Sequence, residues 1–280
     1  MTKLLRKLLA DKLLPDEMEQ VAGGFDIIGD LAIVKLSESF STNKKELIAS
    51  TLLQNLKNIR AIWNQVGPVE GDFRVRKLEF LGGEGRSTTM YMEHGCRFMV
   101  DVSKMYFSPR LSTERERIRD IVHEDEDIFN MFAGVGTFSI VIAKKKKAVM
   151  IYSSEINADA YEFMVQNVQL NKVQDRVAPL LGDCAEASKK LVGGVDRVLM
   201  PLPDKAKEYL PYAIETCKPN GIIHYYAYIN TSESEPAKVV WNDLEIDFPE
   251  LSLVNAKVVR EVGPRTFQVV LDLRRTEPSL

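Results

Sequence analysis

The residues with the clearest chemical potential follow an apolar run, Ile128–Phe132, that predicts a β-strand. Gly134 and Gly136 come next, and glycines at this spacing let the backbone pass close to a ligand and begin a helix whose amides point at it. Glu155, about twenty residues further on, lies just after the strand predicted over Val149–Ser153, where an acid can accept both hydroxyl hydrogens of a ribose. The pattern predicts an adenosine site, with a surface carboxylate at a strand end as the alternative for Glu155.

The glycine turn differs from that of dinucleotide-binding proteins. Ser139 stands where a third glycine would seat a pyrophosphate, so the pattern favours adenosine joined to an amino acid, namely S-adenosylmethionine (SAM). The third and fourth predicted strands of this region end in Asp183-Cys184 and Pro201-Leu202-Pro203. Doubly wound sheets bind ligands at the carboxyl ends of consecutive strands. We therefore expect Asp183 to reach the adenine amino group, with Cys184 or its amide nearby.

The composition restricts the class of protein. A chain of 280 residues with 45% hydrophobic and 28% charged residues is globular and long enough for two modest domains. The cysteines form no CxxC pair and the histidines no HExxH motif, which argues against a disulfide scaffold and a zinc site. Apolar runs are too short for a membrane span, and the N-terminus is too charged for a signal peptide. We expect a soluble, cytoplasmic protein without membrane or metal partners.

The sequence pattern divides the chain into two domains. Residues 1–110 combine helices predicted over Thr2–Ala22 and Lys44–Asn58 with several β-like runs, which indicates a small α+β domain. Residues 111–280 alternate strands, glycine turns and helices, which predicts a Rossmann-like, mostly parallel and doubly wound sheet. The last two apolar runs, joined at Gly263-Pro264, predict an antiparallel hairpin at its edge.

Three blocks of the chain carry a resemblance to a known enzyme family. They are Val100–Arg115, with its YFSPRLSTER run, Phe132–Gly136 and Gly221–Tyr226. In these blocks the chain resembles the archaeal and eukaryotic tRNA (guanine-N1)-methyltransferases, which act on the guanosine at position 37, just 3′ of the anticodon. The same superfamily contains wyosine-pathway relatives, which modify the tricyclic base made from that guanosine. The resemblance implies a class I SAM-dependent methyltransferase domain, a first domain that contacts tRNA, the tRNA anticodon arm as partner, and a monomer.

The resemblance also implies roles for particular residues. Glu114 matches the general base that removes the N1 proton of guanine, and Arg74 matches the arginine that stabilises negative charge on guanine O6. A helix-surface ion pair is the alternative for Glu114, and Arg76 competes with Arg74 for its role. Pro201 completes the catalytic set. The cofactor-binding set implied by the resemblance is Tyr106, Phe132, Gly134, Gly136, Glu155, Asn157, Asp183 and Cys184.

Two residues depart from the family pattern. Asn130 stands where the first strand usually ends in an acid, which alters one polar contact to SAM. Pro201 replaces the asparagine of an Asn-Leu-Pro motif, and proline offers no donor to hold the guanine edge. We expect methylation of the purine at position 37, at guanine N1. The alternatives are methylation or aminocarboxypropyl transfer on a tricyclic wyosine intermediate, and a non-catalytic RNA-binding relative.

Overall fold

The chain folds as two compact units, Met1–Arg110 and Leu111–Leu280. A computed structural model of the protein describes residues 2–21, 24–71 and 75–276. Within these ranges no helix combines the length and the apolar character needed to cross a bilayer.

The first unit packs helices against a small mixed sheet. Its sheet has the order β1-β2-β3-β4, with β2 and β3 parallel and the other neighbours antiparallel, and β5 and β6 form a separate antiparallel ribbon. Buried leucines of α1 and α3 belong to one core with the strands, which confirms the predicted α+β class. The elements are α1 (Thr2–Leu9), α2 (Pro15–Glu19), β1 (Asp26–Ile28), β2 (Leu31–Val34), α3 (Thr42–Asn55), β3 (Ala61–Glu70), β4 (Val75–Gly83), β5 (Thr88–Glu93) and β6 (Cys96–Asp101).

The single helix predicted over Thr2–Ala22, whose last residue lies outside the described ranges, is wrong in extent. The first helix ends at Leu9 and a short second helix begins at Pro15. Proline lacks an amide hydrogen and fixes φ, so it suits the first position of a helix but breaks a helix interior. The helix predicted over Lys44–Asn58 is confirmed as α3, whose N-cap is Ser41.

The second unit is built on a seven-stranded sheet with the order β12-β13-β11-β10-β7-β8-β9. Neighbours from β9 to β11 are parallel, and β13 pairs antiparallel with both β11 and β12, which confirms the Rossmann-like sheet and its closing hairpin. A 3-10 helix, Pro109–Leu111, precedes α4. The elements are α4 (Ser112–Ile121), β7 (Asp127–Asn130), α5 (Thr137–Lys145), β8 (Met150–Glu155), α6 (Ala158–Asn171), β9 (Val177–Leu181), α7 (Cys184–Ser188), β10 (Val195–Met200), α8 (Ala206–Thr216), β11 (Cys217–Asn230), α9 (Pro236–Asp247), β12 (Leu251–Gly263) and β13 (Thr266–Arg275).

The strand order reverses between β7 and β10. The chain continues from β7 to β8 and β9 on one side of this point, while β10 and β11 lie on the other side. Such a switch point is where the carboxyl ends of parallel strands leave a crevice for a ligand. Asn130, Glu155 and Met200 are the last residues of β7, β8 and β10. The sheet therefore brings the glycine turn, Glu155 and Pro201 to one edge.

Candidate active site

The glycine turn between β7 and α5 has a left-handed backbone at both glycines. The φ angle is 55° at Gly134 and 85° at Gly136, values that side-chain-bearing residues rarely adopt. A β-carbon at Gly136 would lie 3.0 Å from Met164 Cγ and 3.1 Å from Ile140 Cδ1. The left-handed backbone therefore favours glycine at 136 independently of any ligand, and a β-carbon there would also require the side chains of Met164 and Ile140 to shift.

The Glu155 carboxylate lies against this turn. Oε2 accepts a hydrogen bond from Gly134 N at 2.7 Å, and Oε1 accepts one from Asn157 N at 2.8 Å. Burial raises the pKa of Glu155 even though these amides favour the ionised form. A carboxylate has about four acceptor positions, so Glu155 can hold the turn and still accept a ribose hydroxyl. The alternative, a solvated carboxylate at a strand end, does not describe this geometry.

The side chain of Asn157 has a structural task. It is the N-cap of α6, where Oδ1 accepts hydrogen bonds from Asp159 N at 3.0 Å and Ala160 N at 3.4 Å. The cap and Glu155 together fix the loop that follows β8. Contact of Asn157 with a cofactor stays a prediction.

Asp183 belongs to a cluster that the sequence did not indicate. Its Oδ1 accepts a hydrogen bond from Ala185 N at 2.8 Å at the start of α7, and its Oδ2 accepts one from the Tyr209 hydroxyl at 3.0 Å. The Tyr209 ring lies edge-on to Phe132, with 5.3 Å between the ring centroids and 84° between the planes. Burial and the Asp183 hydrogen bond raise the pKa of Tyr209, which therefore stays a donor. Tyr209 thus links two residues of the predicted cofactor set.

The thiol of Cys184 is part of the hydrophobic core of the second unit. Burial raises the pKa of this thiol well above its ordinary value. The sulfur of Cys184 therefore packs in the core, and contact of its main chain with an adenine stays a prediction.

Asn130 carries a buried acceptor at the end of β7. Its Nδ2 donates to Ser139 Oγ at 3.0 Å, and Ser153 Oγ donates to the same oxygen at 2.8 Å. Among the described residues the Oδ1 atom of Asn130 has no hydrogen-bond partner. An unsatisfied buried acceptor costs about 1 to 3 kcal/mol, and because Asn130 is 0% exposed this atom faces the interior and not a ligand. The residues that fit SAM are those of the glycine turn and Glu155, whose carboxylate keeps acceptor positions for a ribose hydroxyl.

Pro201 directly follows β10. The segment turns sharply after the strand, because Leu202 N donates to Met200 O at 2.8 Å. Met131 N donates to Leu199 O at 3.0 Å, which fixes the ends of β7 and β10 beside each other. Pro201 is half-buried at this junction and offers no backbone donor.

Glu114 lies in the first turn of α4 and is only 3% exposed. Its Oε1 accepts hydrogen bonds from the Tyr226 hydroxyl at 2.7 Å and from Arg117 Nη2 at 2.8 Å. Its Oε2 accepts one from Arg117 Nε at 3.0 Å. The ion-pair alternative foresaw a cationic neighbour on the helix, but the pair is buried and not on the surface.

Further buried groups hold Arg117 from its other side. Arg117 Nη1 donates to Asp272 Oδ2 at 2.7 Å, and Asn255 Nδ2 donates to the same carboxylate oxygen at 3.0 Å. His224 Nδ1 lies 2.6 Å from Asp272 Oδ1, and Arg197 Nη1 lies 2.7 Å from His224 Nε2. Because a guanidinium only donates, the imidazole accepts at Nε2 and donates its Nδ1 hydrogen to Asp272.

The charges of these groups follow from their surroundings. Burial opposes ionisation of Asp272, yet hydrogen bonds from His224 and Arg117 prevail and hold its pKa well below the ordinary range. Burial likewise opposes the charge on Arg117, and its hydrogen bonds to the two carboxylates prevail and raise its pKa. Burial lowers the pKa of His224, which is neutral.

The buried neutral His224 predicts a pH-dependent stability. Its pKa is lowered in the folded protein, so the unfolded chain binds one more proton below about pH 6.5. This contribution is complete above that pH and is lost as the pH falls, at about 1.4 kcal/mol per pH unit. The free energy of unfolding, measured with urea between pH 7.5 and 5.5, should fall in the wild type and fall less in His224→Gln. His123→Gln, at an exposed histidine, should keep the wild-type slope; equal slopes in all three proteins would contradict a neutral His224.

The predicted residues of the first unit are placed as follows. Arg74 lies outside the described residues, so its role stays a prediction. Arg76 is buried, with Nη1 3.3 Å from Asp26 Oδ2 and Nη2 donating to Phe107 O at 3.0 Å, so its guanidinium braces this unit. Tyr106 is half-buried in the segment between β6 and the 3-10 helix.

Comparison with known families matches both parts of the chain. Residues 89–245 match the model of the TRM5/TYW2 methyltransferase domain, and residues 5–87 match that of the TYW2 N-terminal domain. The two models meet between β4 and β5, whereas the two compact units meet at Arg110.

Individual relatives extend these matches over most of the chain. The chain is 35% identical to the tRNA (guanine(37)-N(1))-methyltransferase Trm5b of Pyrococcus abyssi, over 93% of this chain and 77% of the relative. It is 33% identical to the tRNA 4-demethylwyosine(37)-methyltransferase Taw21 of Saccharolobus solfataricus, over 89% of this chain and 92% of the relative. The crystal structure of Methanocaldococcus jannaschii Trm5 in complex with adenosine aligns with a TM-score of 0.81 and 29% identity, covering 99% of this chain and 80% of that one.

Proposed function

Because the chain belongs to the TRM5/TYW2 methyltransferase family, we propose that it transfers the methyl group of SAM to the purine at position 37 of tRNA, at guanine N1. The observation that carries this proposal is the convergence of Gly134, Glu155 and Asp183 at the carboxyl edge of the sheet, beside its switch point. This edge offers backbone amides and a carboxylate for a ribose. The names of the relatives specify tRNA and position 37, and we therefore propose the base at that position as the methyl acceptor.

The proposed chemistry assigns each step to a group of this chain. SAM, when bound, supplies a methyl carbon activated by its sulfonium. Glu114 takes the proton from guanine N1, so that the N1 electron pair forms the bond to carbon while the carbon–sulfur bond breaks. Arg74 stabilises the negative charge that develops on guanine O6. Glu155 and Asp183 hold the ribose and adenine, and Phe132 lines their pocket.

A direct assay tests the proposal. Purified protein, SAM and a tRNA transcript with guanosine at position 37 should yield N1-methylguanosine by nucleoside mass spectrometry. A transcript with adenosine at position 37 is the matched control and should gain no methyl group. Protein that binds SAM but modifies neither this tRNA nor one that carries the tricyclic base would be the non-catalytic relative.

Pro201 supports a second candidate, methylation or aminocarboxypropyl transfer on the tricyclic wyosine intermediate. The side-chain amide of the Asn-Leu-Pro motif is absent at this position, which removes a donor for the guanine edge. The near full-length match to Taw21 and the TYW2 model over residues 5–87 agree with this candidate. The mass gained by the nucleoside distinguishes a methyl from an aminocarboxypropyl group.

The variant Pro201→Asn separates the two acceptors. A buried asparagine favours a base edge that can pair with it and disfavours one that cannot, by about tenfold for one hydrogen bond. We expect the ratio of guanine N1 methylation to modification of the tricyclic base to rise by that factor. Pro203→Asn is the control, because it relaxes the same loop without placing an amide at 201. An unchanged ratio in Pro201→Asn would show that residue 201 does not read the base.

The manner of tRNA binding is part of the proposal. We propose that the protein acts in the cytoplasm as a monomer on the tRNA anticodon arm, and its three buried cysteines, none of which is in a disulfide in the described part of the chain, agree with a reducing compartment. Light scattering at assay concentration tests the monomer. An isolated anticodon stem-loop should be methylated if this arm carries recognition, and a stem-loop that is inert beside an active full-length tRNA would contradict it.

A further inference from the structure

A connected set of buried polar side chains surrounds Glu114 in the second unit. Hydrogen bonds link it from α4 to β11 and β13 and on to β10, within the described residues. We call this set the Glu114 network. Its members are Glu114, Arg117, Tyr226, Asp272, Asn255, His224, Arg197 and Glu126.

In the Glu114 network two carboxylates, those of Glu114 and Asp272, share the guanidinium of Arg117. Arg117 donates to Glu114 through Nε and Nη2, and to Asp272 through Nη1 and Nη2. Its exposed side-chain fraction is 16%, against 3% for Glu114 and 7% for Asp272, so little water screens the three charges. Each carboxylate therefore receives only part of the positive charge of Arg117.

None of the other described side chains that form hydrogen bonds to this triad is a cation. His224 is neutral, and Arg197 forms its own pair with Glu126 at 2.6 Å. Burial and the negative charge of Glu114 raise the pKa of Tyr226, which stays protonated and donates. From α5, the ring that approaches Tyr226 is Phe138, at 6.3 Å between centroids, and it carries no charge. Glu114 thus shares the guanidinium of Arg117 with Asp272.

The two oxygens of Glu114 are used unequally. Oε1 accepts hydrogen bonds from the Tyr226 hydroxyl and from both Nε and Nη2 of Arg117, at 2.7, 3.1 and 2.8 Å. Among the described residues Oε2 accepts one, from Arg117 Nε at 3.0 Å. Oε2 is therefore the oxygen with room for a further proton.

We propose that Asp272 and Tyr226 are positioning residues for the general base: Asp272 draws charge of Arg117 away from Glu114 and so keeps it basic, while Tyr226 fixes Oε1 so that Oε2 receives the proton. This inference rests on the proposed function of Glu114. Neither residue needs to touch the substrate, since both act through the carboxylate.

Two near-isosteric substitutions test the proposal because they act in opposite directions. Asp272→Asn leaves Arg117 to Glu114 alone, so the protonation midpoint of Glu114 should fall by about one pH unit. Tyr226→Phe removes a donor to the ionised form, so the midpoint should rise by a similar amount, about one pH unit. The midpoint is read from the ¹³C chemical shift of labelled glutamate carboxyls, with the Glu114 signal assigned by its loss in Glu114→Gln. Single-turnover methyl transfer should be slower in both variants, by about tenfold, with SAM affinity unchanged.

Matched controls exclude a general structural effect. Asp120→Asn changes an exposed carboxylate on the same helix, and Tyr225→Phe changes the neighbouring buried tyrosine, whose pKa is raised to about 12 by burial alone. Both should keep the midpoint and the rate of the wild type. Thermal unfolding shows which variants are folded, and the protonation midpoint of Glu114 is compared among the folded variants.

The outcomes distinguish this inference from the proposed function. Shifts in opposite directions support the positioning roles, whether or not the acceptor base is the one proposed. Unshifted midpoints, or shifts of the same sign in both variants, overturn the positioning roles even if the wild type is active and Glu114→Gln is not. A Glu114→Gln variant with the wild-type rate would instead remove Glu114 as base, and with it the proposed mechanism.

Discussion

We expect the Glu114→Gln variant to bind SAM like the wild type and to lose methyl transfer by about 10²- to 10⁴-fold, the usual contribution of a general base. The amide cannot take the N1 proton, whereas Glu155, Asp183 and the glycine turn are unaffected. Binding is measured by calorimetry with SAM, and transfer by single turnover with the enzyme in excess over tRNA, so that product release does not mask the step.

The buried surroundings of Glu114 also predict a cost in stability. The glutamine amide group would face donors of Arg117 or the Tyr226 hydroxyl, so one buried hydrogen bond is lost or opposed. This costs about 1 to 3 kcal/mol, and assays should run well below the unfolding temperature of the variant. Glu116→Gln, on the same helix with a carboxylate 46% exposed, is the matched control and should behave as the wild type. A near-normal transfer rate in Glu114→Gln would place the base elsewhere.

The parts of the fold that the sequence predicts are those fixed by local patterns. The sequence predicts strands over the β-like runs Thr88–Glu93, Cys96–Asp101 and Val177–Leu181, and the bounds of β5, β6 and β9 agree with them. Alternation of such strands with amphipathic helices determines a parallel sheet, because each crossover must cover a sheet face. The antiparallel hairpin at the end is also predictable from a local pattern, because a short turn joins its two strands.

Helix α4 shows why other parts were missed. Its sequence, STERERIRDI, has no apolar stripe of helical period, yet Glu114, Arg115 and Ile118 are buried. The burial depends on partners far along the chain, since Glu114 pairs with Tyr226 112 residues later and Arg117 with Asp272 155 residues later. Polar residues become interior when they satisfy each other, and pattern analysis of one segment cannot detect such a pairing.

The residues of the candidate site likewise include some that the sequence predicts and some that it does not. Gly134, Gly136 and Glu155 are recognisable because the ends of neighbouring parallel strands must converge. Tyr209 is not, because it lies on α8 at a spacing from Asp183 that no short motif records. Glu155 combines both cases: its place was predicted from spacing, but its hydrogen bonds to the turn were not.

These hydrogen bonds shape the expected result for Glu155→Ala, which should lose SAM binding by about 100-fold or more. A charged acceptor contributes about 1.5 to 3 kcal/mol per hydrogen bond, and two ribose hydroxyls would be left without one. The same change removes the acceptor of Gly134 N and Asn157 N, so the melting temperature should also fall by a few degrees.

A second variant separates the ligand contact from support of the turn. Glu155→Gln keeps one acceptor oxygen for an amide of the turn and removes the charge, so it should recover part of the melting temperature but little of the SAM affinity. Glu162→Ala, at an exposed carboxylate on α6, should match the wild type in both measurements. If Glu155→Gln binds SAM as tightly as the wild type, measured by calorimetry at pH 8, the carboxylate does not hold the ribose. The buried acid would then serve only to fix the glycine turn, because its two amide hydrogen bonds would account for its whole effect.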